Sequence, residues 1–358
     1  LLTLIGIAMI YSATACITGE PLDWQSPALR QILYALAGLA AMFALAFVDY
    51  RLYGALRWIF WGGMIALLAI VFGIGQITHG AQRWIDLRVF NLQPSELSKL
   101  IVILVVAKYM SDHEAHMSRW RNLAVSFSFV ALPMALIYLQ PDLGTTIVLG
   151  ATWGVMALAG GMRWRDVLII AAIFSVAAVP IFGNLRPYQQ DRILTFIDPT
   201  RDPLGSGYNI TQARIAIGAG GFWGLGFCSG TQSQLRFLRI RQTDFIFSVI
   251  GEELGFIGSL FVLALIVFII LRLIRVARLA RTTDGKLIAV GIAGVIFIQS
   301  WVNLAMNLGL VPVVGVPLPF VSSGGSSLIT LLASLGVAQS VLLRHTGLQL
   351  EGSGVKYG

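Results

Sequence analysis

Charge is scarce in this chain: only 12% of its 358 residues are Asp, Glu, Lys or Arg, about half of what a soluble domain carries. That scarcity excludes a fold that must keep a wet surface all round. Cysteine is scarcer still. Cys16 and Cys228 are too few for a disulfide framework and have no metal-ligand spacing. Free thiols are the expectation, with a bond between the two as the second reading, since both fall near one outer face. The four histidines (His79, His113, His116, His345) lie in loops or at a helix end and give no metal site or pH sensor. No H-E-x-x-H, C-x-x-C, G-x-S-x-G or P-loop is present, so zinc-enzyme, hydrolase and ATPase readings lose support. Gly218–Gly226 is glycine-rich, but no strand or βαβ unit precedes it, and it reads as tight turns at a membrane surface rather than a nucleotide cradle.

What the chain has instead is apolar length. Hydrophobic residues make up 57% and the mean hydropathy is +0.80. Runs of about 18 residues or more, each long enough to cross ~30 Å of hydrocarbon as a helix, fall near 1–18, 28–48, 55–75, 94–110, 121–140, 143–161, 166–183, 245–271, 286–309 and 326–343. The first is read as a transmembrane helix and not a signal-peptide core, because no small-residue cleavage site follows it. The connections 49–57, 108–121, 162–165 and 272–286 are basic, hence cytoplasmic by the positive-inside rule. They alternate correctly with ten spans. The expected fold is an all-α polytopic membrane protein of about ten transmembrane helices in one domain over 1–358, with both termini cytoplasmic. Trp58, Trp61, Trp120, Trp153, Trp164 and Trp223 fall near span ends and read as interfacial anchors. The net charge of +8 is spent at helix ends and leaves no nucleic-acid surface.

The segment 184–244, between the seventh and eighth spans, stands out as a long extracellular loop rich in Gly, Gln and Arg (Arg186, Arg192, Arg201, Arg214, Arg236, Arg239, Arg241). Loops of that length in economical folds are usually functional. Within it Asn209–Ile217 reads as a short interfacial helix.

Polar groups inside or bordering the apolar spans are the strongest pointers to chemistry, because each needs a partner in hydrocarbon. Glu96 and Lys99 share a face at i, i+3, either as a structural ion pair or facing a substrate. Asp142, after Gln140-Pro141, suits a helix N-cap. Asp244 ends the long loop just before an apolar run. It either caps the helix that follows or, with Thr243 supplying the cap, leaves its carboxylate to act as a general base at the mouth of a membrane cavity. Asp244, Ser248 and Glu252 repeat at i, i+4, i+8 down one helical face, and the adjacent Glu252 and Glu253 must meet a partner, a cavity or a proton. Pro317–Gly325 reads either as a rigid turn with a helix N-cap or as a cluster of hydroxyls and amides at a helix N-terminus, suited to an anion.

These segments carry a resemblance. Gly80–Ile85 with Gln93–Lys99, Gln140–Thr145, Thr243–Phe247 with Gly251–Gly255, and Pro319–Gly325 are similar, in order and spacing, to the signatures of the SEDS family (shape, elongation, division and sporulation). The elongation branch is the nearer one, with the division branch a close second. One departure is Arg239-Ile240-Arg241-Gln242, where the family often has a Leu-Pro-Glu-like stretch. The resemblance implies a peptidoglycan glycosyltransferase of the bacterial cytoplasmic membrane that polymerises lipid II, an undecaprenyl-pyrophosphate disaccharide pentapeptide. It also implies a class B penicillin-binding protein as partner and Asp244 as the essential acid. Expected substrate-binding residues are Arg83, Trp84, Glu96, Lys99, Asp142, Arg192, Gln212, Thr243, Ser248, Ser322 and Ser323. Lys99, Arg83 and Arg192 would offset the pyrophosphate charge, alone or with a divalent cation. A lipid II flippase, or a scaffold for a partner synthase, is the rival reading.

Overall fold

The computed structural model describes residues 1–16, 26–78, 81–86, 91–183, 187–198, 201–202, 205–235, 237–238 and 240–344. Arg186, Arg236, Arg239, His79, His345 and Gly80 lie outside them. In chain order the helices are α1 (Leu2–Ala15), α2 (Pro27–Phe47), α3 (Tyr50–Ala55) and α4 (Arg57–Ile74). A three-stranded antiparallel sheet follows: β1 (Gln76–Thr78), β2 (Ala81–Asp86) and β3 (Asn91–Leu92), in the order β1-β2-β3. Then come α5 (Pro94–Asp112), α6 (Trp120–Leu139), α7 (Leu143–Ala159) and α8 (Trp164–Gly183). The long loop holds α9 (Pro187–Ile197), α10 (Ser206–Gly220) and α11 (Thr231–Gln234), and the chain continues as α12 (Ile246–Leu279), α13 (Thr283–Asn307) and α14 (Gly325–Leu343).

Each of the ten sequence-predicted spans coincides with a helix, and α2, α6, α12, α13 and α14 are long and apolar enough to cross a membrane by length and composition alone. Apolar side chains such as Phe47 (78% exposed), Ile59 and Leu168 point outward, while Ser98, Glu252, Asn303 and Asn307 are buried. This inverted pattern is that of a chain solvated by lipid.

Local rules set several helix ends. Pro94 opens α5 at its first turn, where a missing N–H costs nothing. Asp49 caps α3 through the Arg51 amide, and Asp142 caps α7 through the Thr145 amide.

Four expectations need correction. The described residues of 184–244 include three helices, and the one expected at Asn209–Ile217 runs over Ser206–Gly220. Within the 76–93 connection, Gln76–Thr78, Ala81–Asp86 and Asn91–Leu92 pair into a sheet. Arg272, Arg275 and Arg278 lie on α12 itself, which runs to Leu279, because a long cationic side chain can reach the headgroups from a helix end. Trp153 is buried, its indole N–H donating to Ser126 Oγ at 3.1 Å, and does not act as an interfacial anchor.

The chain forms two compact units, one of Leu1–Leu33, Arg163–Val267 and Ile298–Gly324, the other of Tyr34–Met162, Phe268–Phe297 and the residues from Gly325. In the second, α5 packs against α4, α6, α7 and α14. Its run Leu100–Ala107 is buried without a break, as a helix apolar on every side requires.

The first unit contains a broken helix. At Gly255 α12 leaves helical geometry (φ 67°, ψ −162°). Lost backbone bonds are expensive in hydrocarbon, and the glycine-rich segment restores them. Leu225 and Gly226 amides donate to the Glu252 and Glu253 carbonyls at 2.9 and 3.0 Å, while Phe256 and Ile257 amides donate to Gly221 and Phe222 carbonyls at 3.0 and 3.3 Å. A Cβ on Gly220 or Gly224 would collide with the carbonyls of Gly251 or Glu253. The turns expected here are present, with positive φ at Gly221, Gly224 and Gly226, and Gly220 and Gly224 also serve close backbone approach to α12.

The adjacent carboxylates complete the join. Glu252 accepts from the Gln232 amide (2.6 Å), the Ser233 amide (3.0 Å) and Thr231 Oγ1 (3.2 Å). Glu253 accepts from Ser12 Oγ (2.6 Å), Gln234 Nε2 (3.1 Å) and the Cys228 amide (3.2 Å). Both carboxylates are buried, so their partners are donors from the loop and α1. Cys16 and Cys228 are disulfide-bonded with Cα atoms 5.8 Å apart, which overturns the expectation of free thiols and ties α1 to the same loop.

Candidate active site

In the first unit the approach to Asp244 is fixed carbonyl by carbonyl. The Ser323 amide donates to the Gln242 carbonyl at 2.9 Å. Ser322 Oγ donates to the Thr243 carbonyl at 2.6 Å while accepting from the Leu318 amide at 2.8 Å. Asn303 and Asn307 Nδ2 both donate to the Asp244 carbonyl at 3.0 Å. Asn303 also holds the Val316 carbonyl at 2.8 Å, and Ser248 Oγ donates to Asn307 Oδ1 at 2.6 Å. Upstream, the Arg241 guanidinium donates to the Ala13 carbonyl at the end of α1, a favourable place for a cation. Ile240 takes a positive φ of 55°, a conformation that a β-branched residue keeps only when its surroundings impose it.

The consequence is a carboxylate whose main chain is held rigidly by other residues. Asp244 is half-buried. A Cβ on Gly315, whose φ is +69°, would lie 3.5 Å from Asp244 Oδ2, so the loop after α13 runs past the carboxylate with its smallest residue. Arg192, half-buried on α9, donates to the Val313 carbonyl of that same loop at 3.1 Å. Ser248 is committed to the amide network and Ser322 to the clamp. Gln212 sits half-buried on α10. Asn303, Asn307 and Gly315 were missed by sequence reasoning. The amides carried a usable signal, two Asn residues at i, i+4 inside an apolar span.

The remaining expected residues of the second unit fall into two groups. Asp142 Oδ1 accepts from the Thr145 amide at 3.1 Å, and its Oδ2 accepts from Thr145 Oγ1 (3.0 Å), Gln93 Nε2 and Ser95 Oγ (both 3.4 Å). This is the capping role, with its acceptor positions filled by protein. Arg83, brought in by β2, donates to the Gln140 carbonyl at 3.0 Å and to that of Pro141, and stands 4.0 Å from Asp142. It thus closes the C-terminal end of α6. Trp84, next to it on β2, is half-buried.

Lys99 Nζ donates to Glu96 Oε2 at 2.7 Å, and both side chains are buried. They line a small cavity with Ile103, Ile292, Thr330 and Ser334. Removing one member of a buried pair leaves an uncompensated charge, which typically costs ~3–5 kcal/mol. Lys99→Met is therefore expected to lower the unfolding temperature of the purified protein sharply, and Glu96→Leu combined with Lys99→Met to recover most of the loss. Thermal unfolding in detergent checks this; a double variant no more stable than Lys99→Met would show that the pair does not act as a unit.

Among the described residues no group of three or more His, Cys, Asp or Glu side chains is placed to hold a metal ion.

Comparison with known proteins agrees with this architecture. A family model described as a cell cycle protein, covering FtsW, RodA and SpoVE, matches residues 1–346. The chain is 40% identical over 314 residues to the peptidoglycan glycosyltransferase MrdB of Escherichia coli, covering 87% of this chain and 84% of that one. It is 36% identical to the stage V sporulation protein E of Bacillus subtilis, covering 95% and 94%. Among solved structures it is similar to a chain from work described as "Structural coordination of polymerization and crosslinking by a peptidoglycan synthase complex", with TM-score 0.81, 31% identity and coverage of 97% and 98%. It is also similar to the rod shape determining protein RodA of Thermus thermophilus, with TM-score 0.70, 28% identity and coverage of 96% and 94%. With a matching model over nearly its whole length and this shared fold, the chain belongs to the FtsW, RodA and SpoVE family of multi-pass membrane proteins, the SEDS family.

Proposed function

We propose that this chain polymerises lipid II into glycan strands at the outer face of the bacterial cytoplasmic membrane, with Asp244 as general base. Its class of activity is that of its curated relatives, a peptidoglycan glycosyltransferase. The observation that carries the assignment of Asp244 is the clamp: three successive carbonyls, those of Gln242, Thr243 and Asp244, are each bound by other residues, so the main chain that bears the carboxylate is positioned.

In the step we infer, Asp244 takes the proton of the acceptor sugar's 4-hydroxyl. That oxygen bonds to the anomeric carbon of the donor as the carbon–phosphate oxygen bond breaks. Undecaprenyl pyrophosphate leaves as an anion, and the anomeric centre inverts. Cationic groups stabilise the departing charge. Arg192 is the candidate whose partner lies on the loop that passes beside Asp244. Lys99 and Arg83 direct their charge largely to protein partners. The orientation has two supports: short basic connections at one side, and a disulfide between the end of α1 and the long loop, a bond that persists in oxidising compartments. A class B penicillin-binding protein is the partner we place beside it, given the likeness to a chain of a peptidoglycan synthase complex.

A flippase would draw on intramembrane charges such as Glu252, Glu253, Glu96 and Lys99, but Glu252 and Glu253 are bound by loop donors and Glu96 is paired with Lys99. The test uses purified protein and lipid II in detergent, where there are no sides to cross. An enzyme makes polymer visible on a gel; no polymer, with or without the partner, would refute the proposal.

A further inference from the structure

In the second unit, far along the chain from Asp244, a cavity of about 740 Å³ opens between the C-terminal ends of α2, α12 and α14, within the roughly 300–1,000 Å³ of typical ligand sites. Its walls are apolar, with Met42 and Phe43 from α2, Leu273 and Val276 from α12, and Leu335 and Leu342 from α14. Two guanidiniums, Arg272 and Arg275, share its edge with Gln339. They lie at i, i+3 and therefore on one face of α12.

The charges at this end are not equivalent. Arg344 is satisfied by protein, donating to the Phe47 carbonyl at 2.6 Å and Ser340 Oγ at 2.8 Å and standing 3.3 Å from Asp49. Arg272 and Arg275 are exposed, and among the described residues no carboxylate lies within 4.0 Å of either. Two uncompensated cations thus sit above a long apolar trough.

We infer that this groove is a binding site for one anionic diacyl phospholipid of the cytoplasmic leaflet, its acyl chains along α2, α12 and α14 and its headgroup phosphate between Arg272 and Arg275. The leaflet follows from the orientation proposed above; the choice of lipid follows from charge. A zwitterionic headgroup brings its own ammonium group to a place already holding two cations, whereas an anionic one brings only the missing charge. Arginine stems lying on apolar surface with their heads at phosphate depth are the ordinary behaviour of such residues near helix ends. Each basic residue near an anionic headgroup contributes roughly fivefold in binding, so two give about 25-fold.

The experiment is native mass spectrometry of the full chain, delipidated and then titrated with phosphatidylglycerol or phosphatidylethanolamine of identical acyl chains. Wild type should retain one phosphatidylglycerol with about 25-fold preference. Arg272→Gln with Arg275→Gln should lose that preference while the protein stays folded, since both side chains are exposed. Arg278→Gln with Arg281→Gln, which neutralises two cations outside the groove lining, should keep it, and millimolar inorganic phosphate should not displace the lipid. Equal retention of both lipids, equal loss in the two double variants, displacement by phosphate, or a copurifying protein helix in place of lipid would each overturn the assignment.

Discussion

Replacing Asp244 with Asn is expected to lower glycan polymerisation by ~10²–10⁴, the usual cost of removing a general base, while leaving thermal unfolding unchanged. The second half of that expectation comes from the clamp. Asn303, Asn307, Ser322 and Ser323 bind main-chain carbonyls of residues 242–244, and an isosteric change of the side chain leaves every one of those acceptors in place. Asp244→Glu keeps the charge but displaces it by about one bond length, and near-angstrom misplacement of a reacting group can itself cost ~10² in rate. The glutamate variant should therefore be slow, and purified proteins compared at equal loading would show it. If Asp244→Asn loses activity together with its unfolding transition, the residue is structural.

Glu253→Ala should be among the most destabilising single substitutions in the chain, at ~1–3 kcal/mol for each buried donor it leaves unsatisfied. It strips the acceptor from Ser12 Oγ, Gln234 Nε2 and the Cys228 amide, leaving these donors to find other partners, and buried unsatisfied donors are costly. Glu252→Ala does the same to the Gln232 and Ser233 amides and Thr231 Oγ1. Because the loop repairs the break in α12, the damage should spread to Gly221–Gly226. Limited proteolysis should then cut the variant near that segment under conditions where wild type survives. An unfolding temperature within a degree or two of wild type would show that the carboxylates are dispensable to the join.

How much of this was legible in the sequence depended on range. The spans were readable because hydrocarbon thickness dictates helix length, and the Asp142 cap followed from a rule that acts over three residues. The motif containing Asp244 was found, but not what holds it. Asn303 and Asn307 lie 59 and 63 residues away in sequence, and nothing local to either end names the other. The break at Gly255 was hidden in an apolar run, because hydropathy averaged over a span carries no information about φ and ψ. The turns of 218–226 were legible from their glycines, three of which take positive φ, but their close approach to a distant helix was not, because such contact leaves no local signature. The Cys16–Cys228 bond joins residues 212 apart, and with only two cysteines the sequence offered no spacing pattern to favour it.

The proton acceptor is the heart of the proposal, and the initial rate of polymerisation from lipid II as a function of pH addresses it directly. With Asp244 present, the rate should fall on the acid side with a slope of one proton, because a protonated carboxyl cannot take the sugar's hydrogen. In Asp244→Asn that limb should vanish and a low, flat rate remain. The same acid limb and the same plateau in both proteins would contradict it.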